Sequence, residues 1–168
     1  MIGLLQRVRE ARVCIAGEVV GEIDAGLLLL VCAEQGDTEQ QAEKLLTKLL
    51  KLRIFSDEQG KMNLSLQDRV AASQPAGLLI VSQFTLAADT SGGNRPSFTQ
   101  AASPADGLRL YDWLVQRARS LHPHVQTGRF GADMQVELIN DGPVTIPMRI
   151  APVATVTQSP ARAVGAGS

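Results

Sequence analysis

Residues 26–33 read Gly26-Leu27-Leu28-Leu29-Leu30-Val31-Cys32-Ala33, an unbroken apolar run. Eight residues are too few to cross a bilayer, which takes about 20 in a helix. A short run without alternation is the pattern of a strand buried on both faces. Residues 77–83, Gly-Leu-Leu-Ile-Val-Ser-Gln, predict a second strand of the same kind. Upstream, Ile2–Val8, Val13–Ile15 and Val19–Ile23 read as strands, separated by turns at Ala16-Gly17-Glu18 and Asp24-Ala25-Gly26. Downstream, the polar stretch 34–37 ends the run and a helix follows. Thr38 and Gln41 match a capping box, and Ala42, Leu45, Leu46, Leu49 and Leu50 form one apolar stripe. Lys44, Lys48 and Lys51 lie off that stripe and read as a solvated face.

Further along, Ile54-Phe55 is extended, 56–60 turns, and 67–75 reads as a loop. Residues 87–103 hold Gly92, Gly93, Asn94 and Pro96 and form a long loop, a class that is usually functional or disordered. Ser103 as cap and Pro104 at the first helical position open a second helix, with Leu108, Tyr111, Leu114, Val115 and Ala118 as its buried face. Strands follow at 125–128, 134–139 and 144–150, the last two separated by a turn at Asn140-Asp141-Gly142-Pro143. Residues 151–168 carry one charge, Arg162, and are expected to be a flexible tail on a single domain of residues 1–150. The expected architecture is α+β, with antiparallel sheets curled into a barrel-like core and two main helices.

Composition narrows the function. At 168 residues, 45% hydrophobic and 20% charged, the chain is long and apolar enough for a real core, which excludes wholesale disorder. A net charge of −1 means that any polyanion must be gripped by a local patch. Six aromatic residues are too few for a platform that stacks several bases. Cys14 and Cys32 sit in apolar runs and read as small core residues. His122 and His124 are the only histidines, and their spacing fits neither a metal site nor a triad, so they read as surface imidazoles. No metal and no cofactor are expected. Without a signal-peptide pattern or a membrane span, the expected location is the cytoplasm.

Three segments carry unusual chemistry. Ser82-Gln83-Phe84-Thr85-Leu86 puts hydroxyls and an amide at the end of an apolar strand, where they must be satisfied or face water. It reads either as a satisfied strand end or as a nucleophile or oxyanion site, and no Gly-x-Ser-x-Gly elbow supports the nucleophile. Asn140-Asp141-Gly142-Pro143-Val144-Thr145 reads as a hairpin turn, but Pro143 removes an amide where a strand should begin. A Gly–Pro step also permits a cis bond at a cost of about 0.5–1 kcal/mol. Thr127-Gly128-Arg129-Phe130-Gly131-Ala132-Asp133-Met134 presents one cation and one ring on a bend or bulge.

These strings, with Gln6-Arg7-Val8, Gly21-Glu22-Ile23, residues 53–64 and Asn94-Arg95-Pro96-Ser97-Phe98, resemble the D-aminoacyl-tRNA deacylases (the D-tyrosyl-tRNA deacylase family) in order and spacing. The resemblance runs from Met1 to about Ile150. It departs at Asp24, where a glycine is familiar, at Pro147 inside the last strand, and in the extra tail. It implies a hydrolase that clears D-amino acids and glycine from the terminal adenosine of tRNA and rejects the L form, a proofreading of chirality. The gate implied is a cis Gly142–Pro143 motif, pinned by Arg7, that reaches into the site of the other subunit of a homodimer. Ser82, Gln83, Phe84 and Thr85 would line the opposite wall. Backbone amides near Gln83 and Phe84 would form the oxyanion site, Ser82 and the Gln83 amide would orient the adenosine, and a Thr85 nucleophile ranks second. Phe130 and Met134 would complete the pocket, and Arg95, Arg129, Lys61 and Arg53 would contact phosphates. Two alternatives remain: a hydrolase of another ester or amide acting covalently through Thr85 or Ser82, and a non-catalytic RNA-binding module.

Overall fold

The computed structural model describes residues 1–152. The sheet is organised around β1 (Ile2–Ile15), a 14-residue strand paired along both edges. On one edge lie β2 (Glu18–Ile23) and β3 (Gly26–Cys32). Their register carries straight through, with Val8 opposite Gly26 and Ala11 opposite Ile23. Asp24-Ala25 is therefore a bend in one long partner strand, not the turn expected from its composition. The other edge of β1 is covered by β8 (Gln135–Arg149), also a single strand running antiparallel to β1 throughout. The expected hairpin turn at 140–143 is a bulge in that strand instead. Pro147 is tolerated there because β8 pairs on one side only among the described residues, so a missing N–H breaks no ladder.

Beyond β3 the sheet turns parallel: β6 (Gly77–Ser82) pairs with β3, and β7 (Val125–Thr127) with β6. The sheet is thus mixed, because the chain between β3 and β6 crosses over through α1 (Glu39–Lys51) rather than returning by a hairpin. At the far edge β7 closes back toward β2, where Gly21 meets the Thr127 backbone with no room for a Cβ. The barrel-like α+β architecture expected from the sequence holds, with a mixed sheet in place of wholly antiparallel ones.

The two apolar runs are buried on both faces, and their alternation separates two cores. Leu27, Leu29, Leu78 and Ile80 pack outward beneath α1 and α3 (Pro104–Leu121). Leu28, Leu79 and Val81 point inward with Val8, Ala11, Val13 and Ile23. Leu27, Leu28 and Leu29 are fully buried, each worth about 1.5–3 kcal/mol. Both helices begin as expected: Thr38 and Gln41 form the capping box, and the Ser103 hydroxyl accepts from the Asp106 N–H. On α3 the register differs at one point, since Leu108 is exposed and Leu110 takes its place in the core.

Residues 67–75 are not all loop. Leu66–Ala71 form a short helix, α2, opened by a Ser65–Asp68 capping box, between the hairpin β4 (Phe55–Ser56) and β5 (Met62–Leu64) and strand β6. The tail expected beyond residue 150 lies, from residue 153 on, outside the described residues.

Candidate active site

Because β3 and β6 are parallel and in register, Val31 stands opposite Ser82 and both strands end together. The chain leaving them opens a pocket of about 580 Å³ above α3. The end of β6 is held by the Gln83 N–H, which donates to the Val31 carbonyl at 2.8 Å. The backbone then winds into a 3-10 turn over Phe84–Ala87. The opening N–H groups of such a turn have no partner within it, so those of Phe84 and Thr85 are the free donors. Of the two amides expected to form an oxyanion site, that of Gln83 is committed and that of Phe84 remains.

Phe84 is 58% exposed at the rim and meets Phe98 edge-on, with ring centroids 5.1 Å apart. Phe98 arrives on the long loop, which is tied back to the end of β3 by the Ala102 N–H donating to the Ala33 carbonyl at 2.9 Å. The floor is Leu110, Tyr111 and Leu114 of α3. Tyr111 donates its hydroxyl to the Ile80 carbonyl at 2.9 Å, and its ring packs against Phe130. The remaining wall is Phe130–Met134, where the Met134 sulfur accepts from the Arg129 N–H at 3.4 Å and Asp133 supplies a carboxylate.

Acid–base chemistry has few participants here. Burial, then the nearby Glu34, pushes the Cys32 thiol up to about 11, and burial pushes the Tyr111 phenol up to about 12, so both are neutral near pH 7. Thr85 Oγ1 accepts from the Gln83 side-chain amide at 2.5 Å and does not line the pocket. No imidazole reaches it. His122 is buried, contrary to expectation, with Nε2 at 2.6 Å from the Ala76 carbonyl. That contact is at the start of β6, about 17 Å of strand from Ser82. Among the described residues no cluster of His, Cys, Asp or Glu could hold a metal.

The structure thus gathers Ser82, Gln83, Phe84, Phe130 and Met134 around one cavity. Arg95 and Arg129 are exposed on the two flanking loops, and Arg53 and Lys61 are exposed on the β4–β5 side. The sequence reading missed Phe98, Tyr111 and Asp133. Phe98 belongs to the Asn94–Phe98 segment, but only the loop's return to β3 reveals its place.

Arg7, Gly142 and Pro143 are elsewhere. Arg7 is paired with Leu27, four residues of β3 or about 13 Å before Val31. Between Gln6 and Val8, β8 passes from Thr145 to Asn140, so residues 141–144 are pushed out as a bulge opposite Arg7. Arg7, only 8% exposed, donates Nε to the Asp141 carbonyl at 2.9 Å and Nη1 to the Ile54 carbonyl at 2.6 Å. A second clamp is Asn140. Its Oδ1 accepts from the Val144 N–H at 2.8 Å, and its Nδ2 donates to the Val144 carbonyl at 3.1 Å and the Thr145 hydroxyl at 3.0 Å. Gly142 and Pro143 are left exposed, and the peptide bond between them is cis. Gly142 has φ +141°, and a Cβ there would stand 2.7 Å from Val144 Cγ2 and 3.1 Å from Arg7 Nη2.

Comparison with known proteins places the chain in a family. The profile of the D-Tyr-tRNA(Tyr) deacylase family matches residues 4–149. A D-aminoacyl-tRNA deacylase of Acidovorax ebreus (strain TPSY) is 74% identical over 152 residues, covering 90% of this chain and 99% of that protein. A solved structure titled c-Myc DNA Unwinding Element Binding Protein superposes with a TM-score of 0.83 at 34% identity, over 90% of this chain and 99% of that one. A probable eukaryotic D-amino acid tRNA deacylase shares the fold at 16% identity and a TM-score of 0.72, over 89% and 98% of the two chains. With the family profile spanning nearly the whole described fold and relatives this similar over their full length, the chain belongs to the D-Tyr-tRNA(Tyr) deacylase family of hydrolases.

Proposed function

We propose that this protein hydrolyses the ester joining a D-amino acid, or glycine, to the terminal adenosine of tRNA, and leaves L-aminoacyl-tRNA intact. The observation that carries this reading is the pocket where β3 and β6 end, with an apolar interior and Phe84, the first residue of the 3-10 turn, in its lining. An aminoacyl ester is already activated, so positioning and one oxyanion donor go far toward cleaving it. The Phe84 N–H faces the developing oxyanion, while Ser82 and the Gln83 side chain orient the adenosine end and Phe130 and Met134 wall the pocket. The ribose 2′-hydroxyl of the substrate assists the attacking water, since Thr85 has no base beside it.

D and L esters carry the same groups, so attraction alone cannot separate them. Something must occupy the space that only the L side chain would enter. We assign that role to the Asp141–Val144 bulge, whose carbonyls accept the substrate's α-ammonium group. Exposed and remote from the pocket of its own chain, the bulge suits insertion into the pocket of a second copy, so the working unit is a homodimer. Arg7 fixes its direction from beneath. Arg95 and Arg129 take phosphates of the single-stranded tRNA end, where shape and backbone contacts dominate. Such an enzyme proofreads chirality where charged tRNA is used, in the cytoplasm.

The test is deacylation of matched D- and L-tyrosyl-tRNA by the purified protein. Rapid cleavage of the D ester with the L ester untouched is expected. Equal cleavage of both overturns the reading.

A further inference from the structure

The chain's positive charge is unevenly spent. Most of its described arginines are held in ion pairs, among them Arg12 with Glu137, Arg109 with Glu39, Arg117 with Glu43 and Arg149 with Glu34. The four lysines of the sequence, Lys44, Lys48, Lys51 and Lys61, fall within 18 residues, and no ion pair to any of them is found among the described residues. Three of them lie at i, i+4 and i+7 on α1 and form one exposed row, continued by the exposed Arg53. From 44 to 56 no acidic residue interrupts them. Like charges at these spacings repel one another. The helix dipole favours cations in the last turn and accounts for Lys48 and Lys51, but not for Lys44 or for Arg53 beyond the helix. The row flanks an open groove that also includes Thr47, Leu52 and one carboxylate, Glu43, which is paired with Arg117.

A second groove is arranged in the reverse sense. Glu10, Glu22, Asp24 and Glu137 surround a groove on β1, β2 and β8, with Arg12 as its one cation. A net charge of −1 therefore conceals a basic patch and an acidic patch, and a polyanion is drawn to the first.

The basic patch leads away from the pocket. The turn before α1 is joined to the pocket wall, with the Gln35 N–H donating to the Gln100 carbonyl at 3.0 Å and Glu34 bridged to Ala101. Counted from the Thr38 cap, Lys44 lies about 9 Å and Lys51 about 20 Å along the helix axis. A strand whose 3′ end enters the pocket would carry its duplex portion along this row.

We infer that Lys44, Lys48, Lys51 and Arg53 form a phosphate-binding track for the duplex stem of the RNA whose single-stranded end enters the pocket. This rests on the tRNA reading above and replaces the solvated face expected for the lysines. It adds no base readout, because lysines on phosphates carry no sequence information.

The experiment compares wild type with the triple variant Lys44→Gln/Lys48→Gln/Lys51→Gln. Binding of uncharged tRNA is followed by fluorescence anisotropy from 50 to 200 mM salt, and hydrolysis is measured on D-tyrosyl-tRNA and on D-tyrosyl-adenosine. The variant should bind uncharged tRNA at least about tenfold more weakly, with a log K–log salt slope shallower by about 2 to 3, as expected for three phosphates at 0.7–0.9 each. On D-tyrosyl-tRNA the loss should appear in KM rather than kcat, D-tyrosyl-adenosine should be cleaved as by wild type, and Lys→Arg replacements should restore binding. An unchanged slope and affinity overturn the proposal, including the case in which the row serves a protein or an anionic membrane. So does an equal loss on the short ester, which would make the effect structural. If wild type fails to cleave D-tyrosyl-tRNA while the variant still loses tRNA binding, the deacylase reading falls and the track stands.

Discussion

The pocket and the Asp141–Val144 bulge are built on opposite principles. The pocket is what remains where two buried strands stop above a helix, and its shape follows from many apolar contacts and a backbone turn. The bulge has little core beneath it apart from Val144, and its backbone is held by hydrogen bonds from two side chains, Arg7 and Asn140, while the exposed Arg9 reaches only the Asp141 carboxylate. Dispersed packing tolerates a single change, whereas a form fixed by two side chains does not. Substitutions at the bulge should therefore outweigh comparable ones at the rim of the pocket.

The largest effect is expected at Gly142. Alanine there meets Val144 Cγ2 at 2.7 Å and must adopt φ near +141°, so the bulge has to move. Cleavage of D-tyrosyl-tRNA should fall by about 100-fold, the scale of a 1 Å misplacement, with the circular dichroism unchanged. Mixing this variant with Ala132→Trp, which obstructs the pocket wall, should restore part of the activity if bulge and pocket work across two chains. No recovery would return both to a single chain.

Next comes Arg7→Ala. It releases the bulge and leaves the buried Ile54 carbonyl without its donor, at a cost of about 2 kcal/mol in stability. Discrimination between D and L esters should drop by about tenfold, since a loosened obstruction relaxes selection before it slows chemistry. Arg7→Lys should not rescue it, because one ammonium cannot serve two carbonyls as the planar fork does. Full discrimination in Arg7→Ala would dissolve the contrast between the two regions.

A smaller effect concerns pH. Burial, the dominant cause, lowers the pKa of His122, partly opposed by its bond to Ala76. A depressed pKa means that the folded state binds the proton less readily than the unfolded chain. His122 therefore contributes stability above its ordinary pKa of about 6.5, and that contribution is lost as pH falls through the folded value. Denaturation midpoints should decline below pH 6.5, less so in His122→Gln. An identical decline in that variant would remove His122 as the cause.

The smallest effect is reserved for Thr85→Ala. Activity should stay within about tenfold of wild type, whereas a direct part in proton transfer or attack is worth at least about 100-fold. A loss beyond that would bring Thr85 into the chemistry and the pocket into dependence on one side chain.

What the sequence disclosed follows the same division between local and distant causes. The caps at Thr38 and Ser103 and the two doubly buried strands were legible, because each depends on residues within a few positions. The Ser65–Asp68 box that opens α2 is equally local, although the composition of 67–75 reads as loop. The bend at Asp24-Ala25, the continuity of β8 and the burial of His122 were not legible. Each is decided by a partner remote in the chain: β1 for the first two, and the Ala76 carbonyl for the third. For the site, a polar end on an apolar strand marked Ser82–Phe84. Nothing local marked Tyr111 as its floor, since a tyrosine on the buried stripe of a helix reads as core.

One contact at the heart of the sheet bears on how the chain avoids misfolding. β3 and β6, Gly-Leu-Leu-Leu-Leu-Val and Gly-Leu-Leu-Ile-Val-Ser, are close to interchangeable, and sliding one past the other by two residues would bury the same faces. Hydrophobicity alone cannot choose between these alignments. Gly26 and Gly77 stand directly opposite one another, and a Cβ on Gly26 would run into the Gly77 backbone, with its nitrogen only 2.6 Å away. On the other side Gly77 leaves no space for a Cβ beside Ile23, at 2.6 Å. Any slip would bring a leucine to this point. The two glycines thus act as a key that fits one alignment, and through it the ends of both strands arrive level beneath the pocket.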